Sequence, residues 1–144
     1  MPDLSKVLVV EDDSATQSLL RTIAQREGFE VLTADDGAQA LVILARSTVD
    51  VILLDLLLPR VNGFEVLRHL RCTSPELLQR TIVISAASEA TTRDCEDLPH
   101  VWCFRRKPMD ILEVARDLVA CAAQQPRKPS QAAEPRAMAQ RRAE

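Results

Sequence analysis

Tyrosine is absent from this chain, and glycine, phenylalanine and tryptophan are scarce, at three, three and one in 144 residues. What remains is an aliphatic protein. No stretch is long enough and apolar enough to cross a membrane. The opening, MPDLSKVLVVEDD, has one lysine and a short apolar run that stops at three acids. It does not read as a signal peptide, so the expected location is cytoplasmic. The four cysteines, Cys72, Cys95, Cys103 and Cys121, form no CxxC pair, and His69 and His100 lie far apart. That excludes a zinc site and a disulfide framework, and leaves buried or indifferent thiols. Basic residues are few where a fold is expected. Residues 1–122 hold 13 Lys and Arg against 19 Asp and Glu, a net of −6, whereas residues 123–144 carry +3. Such an acidic domain is a poor candidate for binding a nucleic-acid backbone, and the basic tail alone is a weak one.

The length suggests one domain with a sizeable core. Apolar runs and helical periods alternate along it. KVLVVE (6–11), FEVLTA (29–34), VDVILLD (49–55), TIVISA (81–86) and VWCF (101–104) read as strands. Between them SATQSLLRTIAQREG (14–28), DGAQALVILARS (36–47) and GFEVLRHLR (63–71) read as helices. DILEVARDLVACAA (110–123) closes the series, with Ile111, Ala115, Leu118 and Ala122 on its inward stripe. Residues 87–98 are polar and weakly patterned; a helix is expected there because the alternation demands one. The third strand is apolar on both faces, as in sheets covered by helices on both sides. The expectation is an α/β fold: a doubly wound, five-stranded parallel sheet flanked by five helices. From Ala123 onward the chain is rich in Pro, Ala and Gln and is expected to be a disordered basic tail or a truncated linker.

The stretch VILLDLLLPRVNG (51–63) carries one charge in its first eight residues, Asp55. A lone carboxylate in so apolar a run is costly unless it is used or satisfied. In a parallel sheet the strand ends share one edge. Glu11, Asp12 and Asp13 end the first strand, Asp55 the third and Ser85 the fourth, and Lys107 follows the fifth. Adjacent carboxylates repel and attract a cation. Oxygen ligands without cysteine or histidine suit Mg²⁺, which keeps water for a phosphate oxygen. A carboxylate can itself attack phosphorus, and the transfer then needs positive charge and donors around the moving oxygens. Asp55 would be the acceptor, with Lys107, Ser85 and the metal around it.

The chain resembles the receiver domain of two-component response regulators, of the single-domain, CheY-like kind. The resemblance covers residues 5–122 and rests on VLVVEDD, DLLLPRVNG, TIVISA and RKP, in order and at strand ends. It implies a flavodoxin-like receiver fold. It also implies a phosphoryl group accepted on Asp55 from a histidine kinase or a histidine phosphotransfer protein. Glu11 and Asp12 would hold Mg²⁺, or Mn²⁺ in its place, together with Asp55 and the backbone carbonyl of Leu57. Lys107 would pair with the acceptor, and the Lys107–Pro108 bond would be cis. Ser85 would be the switch hydroxyl and Phe104 the aromatic that moves with it, while Pro59 and Gly63 would shape the loop after the acceptor. Such a domain catalyses its own phosphorylation and dephosphorylation but acts mainly as a signalling switch. Its downstream protein partner would meet the face built from the fourth helix, the fifth strand and the last helix. A homodimer is compatible with this, and no membrane partner is implied.

Three departures mark this chain. Leu98-Pro99-His100 precedes the fifth strand, and Pro99 disfavours helical geometry at Leu98. The fourth helix should therefore be short, displaced or loose. Trp102 with Arg105 and Arg106 would suit a partner surface if exposed, or Trp102 would be half-buried against a helix. Leu57 and Ala87, two residues beyond Asp55 and Ser85, are apolar and cannot position an attacking water, so a long-lived phosphoryl group is expected. Rival readings are a phosphorylation-independent interaction module, and the N-terminal piece of a longer regulator or hybrid kinase. A small flavodoxin-like or hydrolytic enzyme fits less well, because EDDSATQ puts carboxylates where a bound phosphate would sit.

Overall fold

Valine, isoleucine and leucine fill most of three strands, and three strands run directly into a carboxylate, Glu11, Asp35 or Asp55. A computed structural model describes residues 5–123. The strands are β1 (Lys6–Val10), β2 (Glu30–Ala34), β3 (Val51–Leu54), β4 (Thr81–Ser85) and β5 (Cys103–Arg106). They form one parallel sheet in the order β2-β1-β3-β4-β5. The helices are α1 (Ser14–Arg26), α2 (Gly37–Arg46), α3 (Gly63–Thr73), α4 (Pro75–Leu78), α5 (Glu89–Thr92) and α6 (Ile111–Ala122). Among the described residues no helix is long and apolar enough to cross a membrane. The expected tail beyond Ala123 lies outside the described residues.

Side chains alternate across each strand and so supply two cores. Leu8, Ile52, Leu54, Val83 and Phe104 pack on one face with Ala40 of α2 and Val66, Leu67 and Leu70 of α3. Val7, Val9, Leu53, Ile82 and Ile84 pack on the other with Leu20 and Ile23 of α1 and Leu118 of α6. The doubly wound architecture expected from the sequence is therefore observed.

Three local readings are corrected, and the expectation of a short fourth helix holds. An additional one-turn helix, α4, fills the α3–β4 connection, with Pro75 in its first turn, where its fixed φ suits a helix start. The fourth expected helix is the four-residue α5, followed by a 3₁₀ turn at Leu98–His100, in line with Pro99. That turn delays β5 by two residues, so Arg105 and Arg106 lie inside the strand rather than after it. Trp102 is only 3% exposed, so it offers no partner surface and is more than half-buried. Its N–H donates to the Thr81 carbonyl at 2.8 Å, which sets the start of pairing with β4.

The inward stripe of α6 is also rotated. Val114, Asp117, Leu118 and Cys121 are buried, whereas Ile111 is 48% exposed. The reason is Asp117. Arg105 grips its carboxylate from β5, with Nε–Oδ2 at 2.9 Å and Nη2–Oδ1 at 3.1 Å, and Cys103 Sγ donates to Oδ2 at 3.5 Å. A buried carboxylate held by a two-pronged guanidinium can face the core. Removing one partner leaves a buried charge unmatched, but Arg105 would keep Glu113 at 2.8 Å. Asp117→Ala is therefore expected to cost about 2 kcal/mol in urea unfolding, below the usual range for breaking a buried pair. The double change Arg105→Met with Asp117→Leu should recover most of that loss.

Candidate functional site

Strand order reverses between β1 and β3, and the crevice outside such a reversal is where open α/β sheets bind ligands. Glu11 leaves β1 on one side of it and Asp55 leaves β3 on the other. Glu11 is 2% exposed, Asp55 is 5% exposed, and Asp12 stands in solvent beside them. One carboxylate oxygen from each of the three lies within 4.8 Å of the others. This all-oxygen donor set, close-packed and anionic, suits a hard divalent cation.

Lys107 follows β5 and reaches back across the strand ends. Its Nζ donates to Glu11 Oε2 at 2.9 Å and to Asp55 Oδ2 at 3.2 Å. Burial alone would lower the Lys107 pKa, but hydrogen bonds and charge attraction from Glu11 and Asp55 outweigh it and raise the value. Glu11 goes the other way. Burial pushes its carboxyl up, Lys107 and the Asp13 N–H pull it back, and the Asp55 charge pushes it up again, for a net rise. The acceptor candidate has a local donor as well, since the Leu57 N–H reaches Asp55 Oδ1 at 3.0 Å. The Leu57 side chain is half-exposed at the rim.

Ser85 ends β4 fully buried, and its Oγ accepts from the Ala87 N–H at 3.1 Å. Its carbonyl accepts from the Lys107 N–H at 3.0 Å, which ties the serine to the lysine's backbone. The Lys107–Pro108 bond is cis, as the family resemblance implied. Phe104 lies fully buried in the core beneath the site. Glu11, Asp12, Asp55 and Lys107 are therefore brought together. Ser85 stands beside them, Phe104 lies below, and Trp102 and Arg105 belong to the opposite face of the sheet.

Several supports surround these residues, and most of their long-range partners were not legible in the sequence. Asp13 caps α1 by accepting from the Thr16 N–H and hydroxyl, and these bonds hold its carboxyl below the ordinary range. Gln17 Nε2 donates to the Glu11 carbonyl at 2.8 Å and to Asp35 Oδ1 at 2.9 Å, tying the β1 end to the β2 end. Asp36 caps α2 and accepts from Arg60 Nε at 2.8 Å, while the Gly37 N–H meets the Val61 carbonyl at 2.9 Å. These bonds moor the far bend of the acceptor loop to α2. The Asp and Gly at 36–37 and the Asp-x-x-Thr at 13–16 were visible as cap patterns; the partners across the fold were not.

The sequence matches the family described as "Response regulator receiver domain" over residues 7–114. It is 47% identical over 70 residues to the transcriptional regulatory protein CpxR of Klebsiella pneumoniae, a match covering 49% of this chain and 30% of that protein. It is 36% identical over 88 residues to the response regulator MprA of a Mycobacterium species, covering 61% of this chain and 37% of that protein. The matches thus span only about a third of these curated relatives. Among solved structures, a sensor protein from Polaromonas sp. JS666 is 26% identical with a TM-score of 0.73, covering 83% of this chain and 97% of that one. A CheY-like receiver domain protein from Methanospirillum hungatei JF-1 has a TM-score of 0.74 at 20% identity, covering 85% and 97%, and at that identity speaks for the fold alone.

Proposed function

Because this chain belongs to the response regulator receiver domain family, we propose that it is a phosphorylation switch whose acceptor is Asp55. The donor is the phosphohistidine of a histidine kinase or a histidine phosphotransfer protein. An Asp55 carboxylate oxygen bonds to phosphorus, the P–N bond breaks, and the imidazole nitrogen leaves with its electron pair and takes up a proton. What supports this most directly is the Lys107 ammonium, 2.9 Å from Glu11 and 3.2 Å from Asp55 in a buried acidic cluster. Lys107 is placed to follow negative charge as it passes from the Asp55 oxygen to the phosphoryl oxygens.

Glu11, Asp12, Asp55 and the Leu57 carbonyl would hold Mg²⁺, with Mn²⁺ as a substitute, and the ion would neutralise the phosphoryl oxygens. Ser85 would donate its hydroxyl to one of those oxygens. Neither the Leu57 side chain nor Ala87 carries a group to orient an attacking water, so the phosphoryl group should be long-lived. Phosphorylation would shift a two-state equilibrium read by a protein partner on the α5–β5–α6 face. Residues 1–122 form the switch unit in this reading, and the basic residues from 123 on form a tail or a linker.

Incubation with acetyl phosphate and Mg²⁺, followed by intact mass and site mapping, tests the assignment. One metal-dependent phosphoryl adduct on Asp55 is expected, and none in Asp55→Asn. An adduct that survives in Asp55→Asn would remove Asp55 from its role. The metal reading has its own pH signature. A carboxyl whose folded pKa is raised stabilises the fold below its unfolded pKa and loses that contribution as pH rises through the folded value. Metal-free protein should thus lose Glu11's contribution as pH rises, while ionised Glu11 becomes available to Mg²⁺. The rise in melting temperature on adding Mg²⁺ should therefore be larger at pH 8 than at pH 5, and an equal shift would sink this account.

A further inference from the structure

The two arginines of β5 point to opposite faces of the sheet. Arg105 is taken up by Asp117 and Glu113 of α6. Arg106 faces the other way and pairs across the sheet with Ser85. Its guanidinium carbon lies 5.5 Å from the centre of the Phe104 ring. Its Nη1 donates to the carbonyl of Ala87, in the connection between β4 and α5. Ala87 is buried, and its own N–H is the donor held by Ser85 Oγ. The segment Ser85–Ala87 is thus tied to Arg106 of β5 and to Lys107 just after it. One bond, from the Lys107 N–H to the Ser85 carbonyl, is backbone pairing that most residues could make. The other depends on the Arg106 side chain.

We propose that Arg106 is a latch on the β4–α5 connection that holds the Ser85 hydroxyl in its resting position and opposes its approach to a phosphoryl group on Asp55. The inference rests on the phosphoacceptor reading above. Ser85 Oγ and Ala87 are bonded, so carrying the hydroxyl toward Asp55 carries Ala87 with it. The Ala87 carbonyl must then leave a charged donor in a partly buried setting, which opposes the move. The same guanidinium covers Phe104, so the ring cannot leave the core without displacing it. Arg106 thereby couples the two groups that the family resemblance names as switch elements. It acts through the Ala87 carbonyl and the Phe104 ring, and is a positioning residue.

Beryllofluoride with Mg²⁺, used as a phosphoryl mimic on the full chain, reads the latch by titration calorimetry. Arg106→Ala should bind it about tenfold tighter than wild type, the size expected for one charge-assisted hydrogen bond lost from the resting state. Amide exchange at Ala87 in the metal-free protein should quicken in the same variant. Arg106→Lys keeps a charged donor and should stay within about threefold of wild type in affinity. Arg106→Gln, a neutral donor, provides a second variant should alanine fail to fold. Affinity that is unchanged or weaker in a folded Arg106→Ala or Arg106→Gln overturns the latch, as does unchanged exchange at Ala87. The underlying reading fails separately: if wild type takes up neither beryllofluoride nor a phosphoryl group, Asp55 is no acceptor, and the latch falls with it.

Discussion

Lys107→Ala is expected to slow phosphorylation of Asp55 by acetyl phosphate about 100-fold, the loss typical of removing one preorganised donor from developing negative charge. The single ammonium serves two carboxylates, Glu11 and Asp55, and the substitution leaves both in a crevice that excludes most water. Asp55 would then be phosphorylated with the metal ion but without the ammonium that stands 3.2 Å from its Oδ2. A small donor isolates this effect, because no protein interface contributes to the rate. A rate within threefold of wild type would show that Lys107 pairs with the acidic cluster only at rest.

The same substitution has a thermodynamic face. In metal-free protein it should lower unfolding free energy by about 2 kcal/mol near neutral pH, less than for a fully enclosed pair because the lysine is partly exposed. The loss should shrink toward pH 5. As pH falls, Glu11, whose carboxyl burial pushes up and which is now without its partner, is more readily protonated and less of an unmatched charge. Added Mg²⁺ should also recover part of it, since the ion would supply the missing positive charge. Denaturant curves at two pH values, with and without metal, separate these contributions from the kinetic one.

The parts of this protein legible in its sequence are those set by local pattern. Apolar runs ending in Glu11, Asp55 and Ser85 locate three strand ends, and parallel pairing then brings their polar groups to one edge. Asp55 stood out because its neighbours are all apolar; burial at 5% is what that pattern implies. The misreadings share another cause: a distant partner outweighs local character. The inward stripe of α6 was drawn through apolar residues alone, yet Asp117 is buried because Arg105 satisfies it. Trp102 near two arginines left a partner surface and a half-buried side chain both open; it is buried on one face while Arg105 and Arg106 turn to internal partners on opposite faces. The mooring of the acceptor loop by Asp36, Gly37 and Arg60 spans up to 24 residues, and no short-range pattern carries it.

Gly63 gives the second large effect, because the turn into α3 has no room for a Cβ. A glycine at a turn into a helix is usually explained by backbone freedom, but Gly63 begins α3 and is not among the described residues with positive φ. Its need is space. A Cβ there would stand 2.4 Å from the Asp55 carbonyl oxygen and 2.5 Å from the Leu56 Cα, both backbone atoms that no side-chain rotation can clear. Its N–H also donates to the Leu56 carbonyl at 3.0 Å, so the start of α3 is pressed against the residue after the acceptor. Gly63→Ala must move either α3, anchored by Val66, Leu67 and Leu70 in the core, or the acceptor backbone itself. It should cost about 3 kcal/mol in stability, at the upper end for overpacking. It should also slow acetyl-phosphate labelling by up to about 100-fold, since a shift near 1 Å in a reacting group has that scale. Gly28→Ala is the control: φ is +91° there but the space is open, so strain alone acts. That strain is worth about 1–2 kcal/mol and should leave the labelling rate of the folded protein unchanged. Equal labelling rates in the two folded variants would mean that contact with the Asp55 backbone does not fix the acceptor.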